Sequence, residues 1–117
     1  MSTEYQAKAI VGIAISEKDF HQYATSLFGE EFIEKEKKYC AWLLESFTHD
    51  LFGDQGESFF VENETNQYKF GITIKNNQDF LYSIKDIENA SKIFSEKFNY
   101  RFNESKIPKL IFEVFNF

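Results

Sequence analysis

The sequence predicts one α+β domain spanning residues 1–117: a four-stranded, largely antiparallel sheet with helices packed on one face, in the order β-α-α-β-β-α-β. Three observations carry that reading. Apolar residues alternate with period two in runs at 7–15, 58–62, 67–75 and 109–117, the pattern of strands. They recur at i, i+3, i+4 and i+7 over 20–28, 32–47 and 87–98, the pattern of amphipathic helices. No repeat, low-complexity tract or Pro/Gly-rich linker divides the 117 residues, a length that suits a single domain.

Each element has its own local justification. The first strand sets Ala7, Ala9, Val11, Ile13 and Ile15 on one side and Gln6, Lys8, Ile10, Gly12 and Ala14 on the other. Such small and β-branched side chains suit a strand buried on at least one face. Ser16 then caps a helix, with Asp19 three residues on. Phe20, Tyr23, Ala24, Leu27 and Phe28 form its apolar face, and Gly29 is its stop. The spacing predicts a second helix running unbroken from Glu30 to Phe52, about 34 Å long at 1.5 Å per residue. Glu31/Lys35 and Glu34/Lys38 lace it with i,i+4 pairs, and Gly53 ends it.

Beyond Gly53, "SFFVE" and "QYKFGITIK" read as a hairpin turning at Asn63–Asn66. "NNQDF" breaks the pattern. A third helix from Ser83 to Phe98 presents Ile87, Ala90, Ser91, Phe94 and Phe98, and the connection "NYRFNESKIP" leads to the last strand, "KLIFEVFNF". Pro108 fits a strand start better than a helix interior. With the first two helices counted as one broken crossover, this is the split β-α-β order, a ferredoxin-like variant.

Composition narrows the function classes. Fifteen Phe give a dense core for a small chain and leave rings for an interface. Cys40 is the one cysteine, so an intramolecular disulfide is excluded. The first residues carry no basic stretch before their apolar run, and that run is too short to span a bilayer, so a cytoplasmic protein is expected. A net charge of −6 opposes phosphate, which makes nucleic acid a poor partner.

A search for chemistry yields no catalytic residue, metal site or cofactor. Cys40 with His21 or His49 would make a thiol–imidazole pair, but Cys40 falls in the middle of the long helix on its apolar face, the place of a structural thiol. His49, Asp50, Asp54 and Glu57 lack the further histidines of a metal-dependent phosphohydrolase and miss the calcium-loop spacing. The glycines, at 12, 29, 53, 56 and 71, form no phosphate cradle. Glu36 falls within a stripe of Phe32, Ile33, Tyr39, Cys40, Leu43, Leu44 and Phe47, where pairing with a cation such as Lys8 is expected rather than catalysis.

The distribution of charge is more telling. Between Tyr39 and Tyr68 stand six of the 19 acids and no Lys or Arg, while acids and bases are equal in number over the rest. The whole net charge therefore resides in Glu45, Asp50, Asp54, Glu57, Glu62 and Glu64. Trp42 lies off the apolar stripe of the long helix, placed either under the first helix or a loop or as an exposed anchor beside an acidic rim. In size, charge and layout the chain is similar to the small α+β inhibitors that guard bacterial cells against nuclease toxins, though no signature residues carry the likeness.

The reading that follows is a non-enzymatic, acidic protein-binding module of immunity or antitoxin type that blocks a basic, nucleic-acid-handling partner. A phage-encoded blocker of a defence enzyme is the same physical idea. Its expected contact set is Trp42, Glu45, Asp50, Asp54, Glu57, Glu62 and Glu64, with no nucleic acid, membrane or cofactor, in a monomer or homodimer. Two alternatives stand beside it: a small-molecule-binding or catalytic α+β domain with Glu36, Cys40 or His21 in a pocket, and an acidic segment that serves only solubility.

Overall fold

The computed structural model describes residues 5–74 and 82–116, with side chains described for 8–74 and 82–113. The break expected at 76–80 lies outside the described residues. In chain order the elements are β1 (Tyr5–Ser16), α1 (Glu17–Phe28), α2 (Glu30–Glu36), α3 (Cys40–Phe52), a 3-10 turn (Gly53–Gln55), β2 (Gly56–Val61), β3 (Gln67–Ile74), α4 (Ile84–Phe94) and β4 (Lys109–Asn116). α4 is prolonged by a π-helical turn (Ser95–Asn99) and a final α-turn (Tyr100–Phe102). The strands lie in the order β2-β3-β1-β4, and all neighbours are antiparallel. Each β-α-β unit therefore has a strand of the other unit inserted between its own two, as the split pattern requires.

Alternation decides which side of the sheet becomes core. Val11 lies opposite Ile72 and Ile13 opposite Phe70, all on the side that the helices cover. Phe20 and Ala24 of α1, Leu43, Leu44 and Phe47 of α3, Ala90 and Phe94 of α4, and Phe98 of its π-helical turn pack onto them as one buried cluster. Many of the phenylalanines are spent here. Phe20 stacks on Tyr68 at 4.4 Å between centroids, Phe47 meets Phe20 and Phe70 edge-on at 5.2 Å each, and Phe94 stacks on Phe98 at 5.1 Å. Ring pairs of these geometries contribute about 0.5–1.5 kcal/mol beyond burial.

Local signals account for the ends of α1. Ser16 Oγ accepts the Asp19 N–H at 3.2 Å, and Gly29 takes φ 93° to turn the chain into α2. The unbroken helix expected over Glu30–Phe52 is instead two. α2 stops at Glu36, and Tyr39 adopts φ −99°, ψ 65° before α3 starts at Cys40. An unbroken helix would carry Glu36 and Tyr39 inward with Ile33 and Leu43. The break keeps Ile33, Leu43, Leu44 and Phe47 buried while Tyr39 turns out to 53% exposure and Glu36 stays half-exposed, so no carboxylate is desolvated. Glu34 pairs with Lys37 at 3.1 Å rather than with Lys38.

The third helix also departs from expectation, running past Phe98 to Phe102, where Asn103 stops it in the left-handed region at φ 53°. The π turn keeps Phe94, Phe98 and Phe102 in line along the core, with Phe98 and Phe102 5.0 Å apart. Asn99 then ties down the connection to β4, its Nδ2 donating to the Lys106 carbonyl at 2.8 Å and its Oδ1 accepting the Lys106 N–H at 3.0 Å.

Tyr23 adds a second tie, donating to Glu104 Oε1 at 3.0 Å. Burial first, and then the Glu104 carboxylate, push its phenol up to about 12. The neutral phenol is the form the fold favours. Its contribution is complete below the ordinary value of 10.0 and is lost as pH rises through about 12. Thermal midpoints measured across that window should fall with pH, and Tyr23→Phe should flatten the fall. An unchanged slope in the variant would remove Tyr23 as the titrating group.

The far side of the sheet is closed by curvature. Gly12 and Gly71 face each other across β1 and β3, and a Cβ on either would stand 2.6 Å from the other's Cα. Two ion pairs form over intervening strands: Lys69 of β3 reaches Glu113 of β4 at 2.6 Å, and Lys8 of β1 reaches Glu57 of β2 at 3.6 Å. Lys69 lies opposite Ala14 and Glu113 opposite Lys8. In a flat sheet that offset is about 20 Å along β1, beyond the reach of the two side chains, so the sheet coils into a concave surface at the glycines. Ile10 is fully buried on this side and Phe59 nearly so.

Candidate functional site

α3 and β2 are joined only by the turn Gly53–Gln55, so the strand returns directly along the helix. Gly56 permits the close return: a Cβ there would meet Thr48 Cγ2 at 2.9 Å and Phe52 Cβ at 3.0 Å. Thr48 is buried, its Oγ1 donating to the Leu44 carbonyl at 2.8 Å, so the floor carries no idle hydroxyl. Above that floor helix and strand leave a groove of about 480 Å³. Glu45 and His49, one turn apart on α3, line one wall, Asp54 belongs to the connecting turn, and Glu57, Ser58 and Phe60 line the β2 wall. β2 is an outer strand of the sheet, and among the described residues no strand pairs with its outer edge.

The expected contact set is thus only partly brought together. Glu45 and Asp54 converge on the groove, while Glu57 borders it on β2 with its carboxylate turned to Lys8 on the far side of the sheet. Asp50 is exposed on α3 but does not line it, and Glu62 and Glu64 are exposed in the hairpin loop beyond the far end of β2. In that loop the Thr65 N–H donates to Asn63 Oδ1 at 2.9 Å, which holds the turn. Trp42 takes the outward of its two expected placements. It is 49% exposed, three positions before Glu45, with Phe32 6.3 Å away between ring centroids.

The groove is electronegative for two reasons. The carboxylates of Glu45 and Asp54 line it, and the carbonyl end of α3, which the macrodipole makes negative, points into the same region. The Tyr39–Tyr68 segment is not free of cations in space, however. Lys8 reaches Glu57, so the pair expected between Lys8 and Glu36 gives way to one with a groove residue.

His49, Ser58 and Phe60 were not in the expected set. His49 was legible from its i,i+4 relation to Glu45. Ser58 and Phe60 share the helix-facing side of β2 through their register with Phe70 and Tyr68, which only the strand pairing reveals.

The thiol is placed differently from expectation. Cys40 is the first residue of α3 rather than a mid-helix core residue. It is half-buried, its Sγ donating to the Lys37 carbonyl at 3.5 Å, and not to an imidazole. Tyr68 lies fully buried near it, and its phenol is pushed well up, chiefly by burial and then by the Cys40 thiol. The hydroxyl nonetheless makes no hydrogen bond of good geometry, a thiol being a weak partner. None of Glu36, Cys40 and His21 lines the groove.

Among the described residues no three of His, Cys, Asp and Glu come close enough to hold a metal ion, and no helix is long and apolar enough to cross a membrane. No protein-family model matches the chain, and no curated protein or solved structure matches it, so every role assigned to a residue rests on its chemistry and position alone.

Proposed function

We propose that the chain is a non-enzymatic inhibitor of immunity or antitoxin type, which seats a basic segment of a nucleic-acid-handling partner, such as a toxin nuclease, in the groove between α3 and β2. The observation that carries this is the convergence of Glu45 and Asp54 with the carbonyl end of α3 on one groove beside an outer strand. A protein that handles phosphate presents lysines and arginines, and a negatively charged concavity attracts them at long range. Occupancy of the partner's basic site suffices for inhibition, so no cofactor is required. Trp42, exposed three positions before Glu45 on α3, supplies the kind of aromatic contact that dominates interface energies. A cytoplasmic setting fits this role.

The test is affinity capture from source lysate at low and moderate salt, with a Glu45→Lys/Asp54→Lys variant alongside. The expected result is a basic protein retained by the native chain, released by salt and lost with the variant, whose nucleic-acid cleavage the native chain inhibits at one-to-one stoichiometry. Equal capture by both forms, or capture without inhibition, would set the proposal aside.

A further inference from the structure

The opposite edge of the sheet has a different character. Leu110 and Phe112 of β4 lie opposite Val11 and Ala9 on the helix-facing side. Val11 and Ala9 are buried, yet Leu110 and Phe112 are 42% and 45% exposed. Ile107, just before the strand, is more exposed still. Among the described residues β4 pairs only with β1. An edge strand with exposed apolar side chains is a template for a further strand, and the sequence of this one says which.

Residues 109–113 read Lys-Leu-Ile-Phe-Glu. Laid antiparallel on a second copy about Ile111, Lys109 opposes Glu113 and Leu110 opposes Phe112, each pair occurring twice by symmetry. A shift of two residues either way would set Lys109 or Glu113 against Ile111, and a shift of one would mismatch the faces. Charge and apolar pairing therefore select one register. We propose that β4 pairs with β4 of a second copy about a twofold axis through Ile111, which joins the two sheets into one of eight strands. The isologous geometry is that of most homodimers. Glu113 already holds Lys69 within its own chain, and Lys109 of the second copy would approach the same carboxylate from across the new edge. The inference does not rest on the acidic groove, because β2 lies at the other side of the sheet.

Sedimentation equilibrium of the full chain over a wide concentration range tests it. The native protein should reach the mass of a dimer. Leu110→Lys should raise the dissociation constant about tenfold or more, since two cross-strand apolar pairs are lost. Lys109→Glu should do likewise by opposing two carboxylates, and adding Glu113→Lys should restore association. Circular dichroism of each variant separates lost pairing from lost folding. As a register test that adds no charge, Cys40→Ser/Ile111→Cys should form a disulfide-linked dimer on mild oxidation, and Cys40→Ser/Ser58→Cys should not. A monomer at every concentration, a dimer indifferent to Leu110→Lys, or cross-linking at position 58 in place of 111 would each overturn the proposal.

Discussion

Gly71→Ala is expected to leave the chain barely folded, and Gly12→Ala to do the same. A Cβ on Gly12 would fall on the backbone carbonyl of Phe70, and one on Gly71 on that of Val11. Both would also stand 2.6 Å from the opposing Cα. The obstacle is buried main chain at the centre of the sheet, so no side chain can swing aside. Relief requires β1 and β3 to separate, which breaks the ladder on both sides. Overpacking costs about 1–3 kcal/mol where side chains can give way, and this case should exceed that, at roughly 3–5 kcal/mol. Against a domain stability of about 5–15 kcal/mol, the urea midpoint should collapse. Gly56→Ala, whose Cβ meets Thr48 Cγ2 and Phe52 Cβ rather than main chain, should lose less. A native midpoint for Gly71→Ala would mean that the two strands do not approach so closely, and the concave far side would go with it.

The second large effect concerns association with the proposed basic partner. Glu45→Lys/Asp54→Lys should slow association about ten- to a hundredfold at low salt, and the difference should shrink as salt is added. Trp42→Ala should leave the on-rate alone and raise the off-rate roughly thirtyfold, the cost typical of a truncated aromatic anchor. Asp50→Lys is the informative control. It reverses one carboxylate on α3, as Glu45→Lys does, at a residue that does not line the groove. Stopped-flow measurement of all three decides the matter: an on-rate that responds equally, per charge reversed, to Asp50 and to the groove acids would mean that net charge, and not the groove, guides the encounter.

Much of this fold was legible because its signals are local. Ser16 with Asp19, the positive-φ Gly29, and the alternation from Tyr68 to Ile74 each act over a few residues. The helix break was not legible from period alone, because Phe32–Ile33 and Leu43–Leu44 fit one continuous wheel. The flaw in that wheel was visible as Glu36, a carboxylate inside an apolar stripe, and the chain resolves it by breaking rather than by pairing. For the site, the run of acids was evident, but their grouping depended on long-range pairing. Ser58 and Phe60 meet the α3 wall because β2 is set directly against the helix in a register that only the strand pairing reveals. Gly12 and Gly71 were likewise conspicuous singly, while their confrontation is a matter of register.

The strand order also governs the sequence of events as the chain folds. β2 and β3 are joined by a loop of five residues and α3 and β2 by a turn of three, so their closure is cheap in entropy and hairpin formation takes only microseconds. β1 must instead find β4 from about a hundred positions away. That search is expected to set the barrier, as it does in folds rich in distant contacts. The groove walls are accordingly expected to form early and the β4 edge last. A nascent molecule is thus expected to close the α3–β2 groove before it completes the β4 edge, so that any pairing of that edge with a second copy waits until the core beneath it has closed.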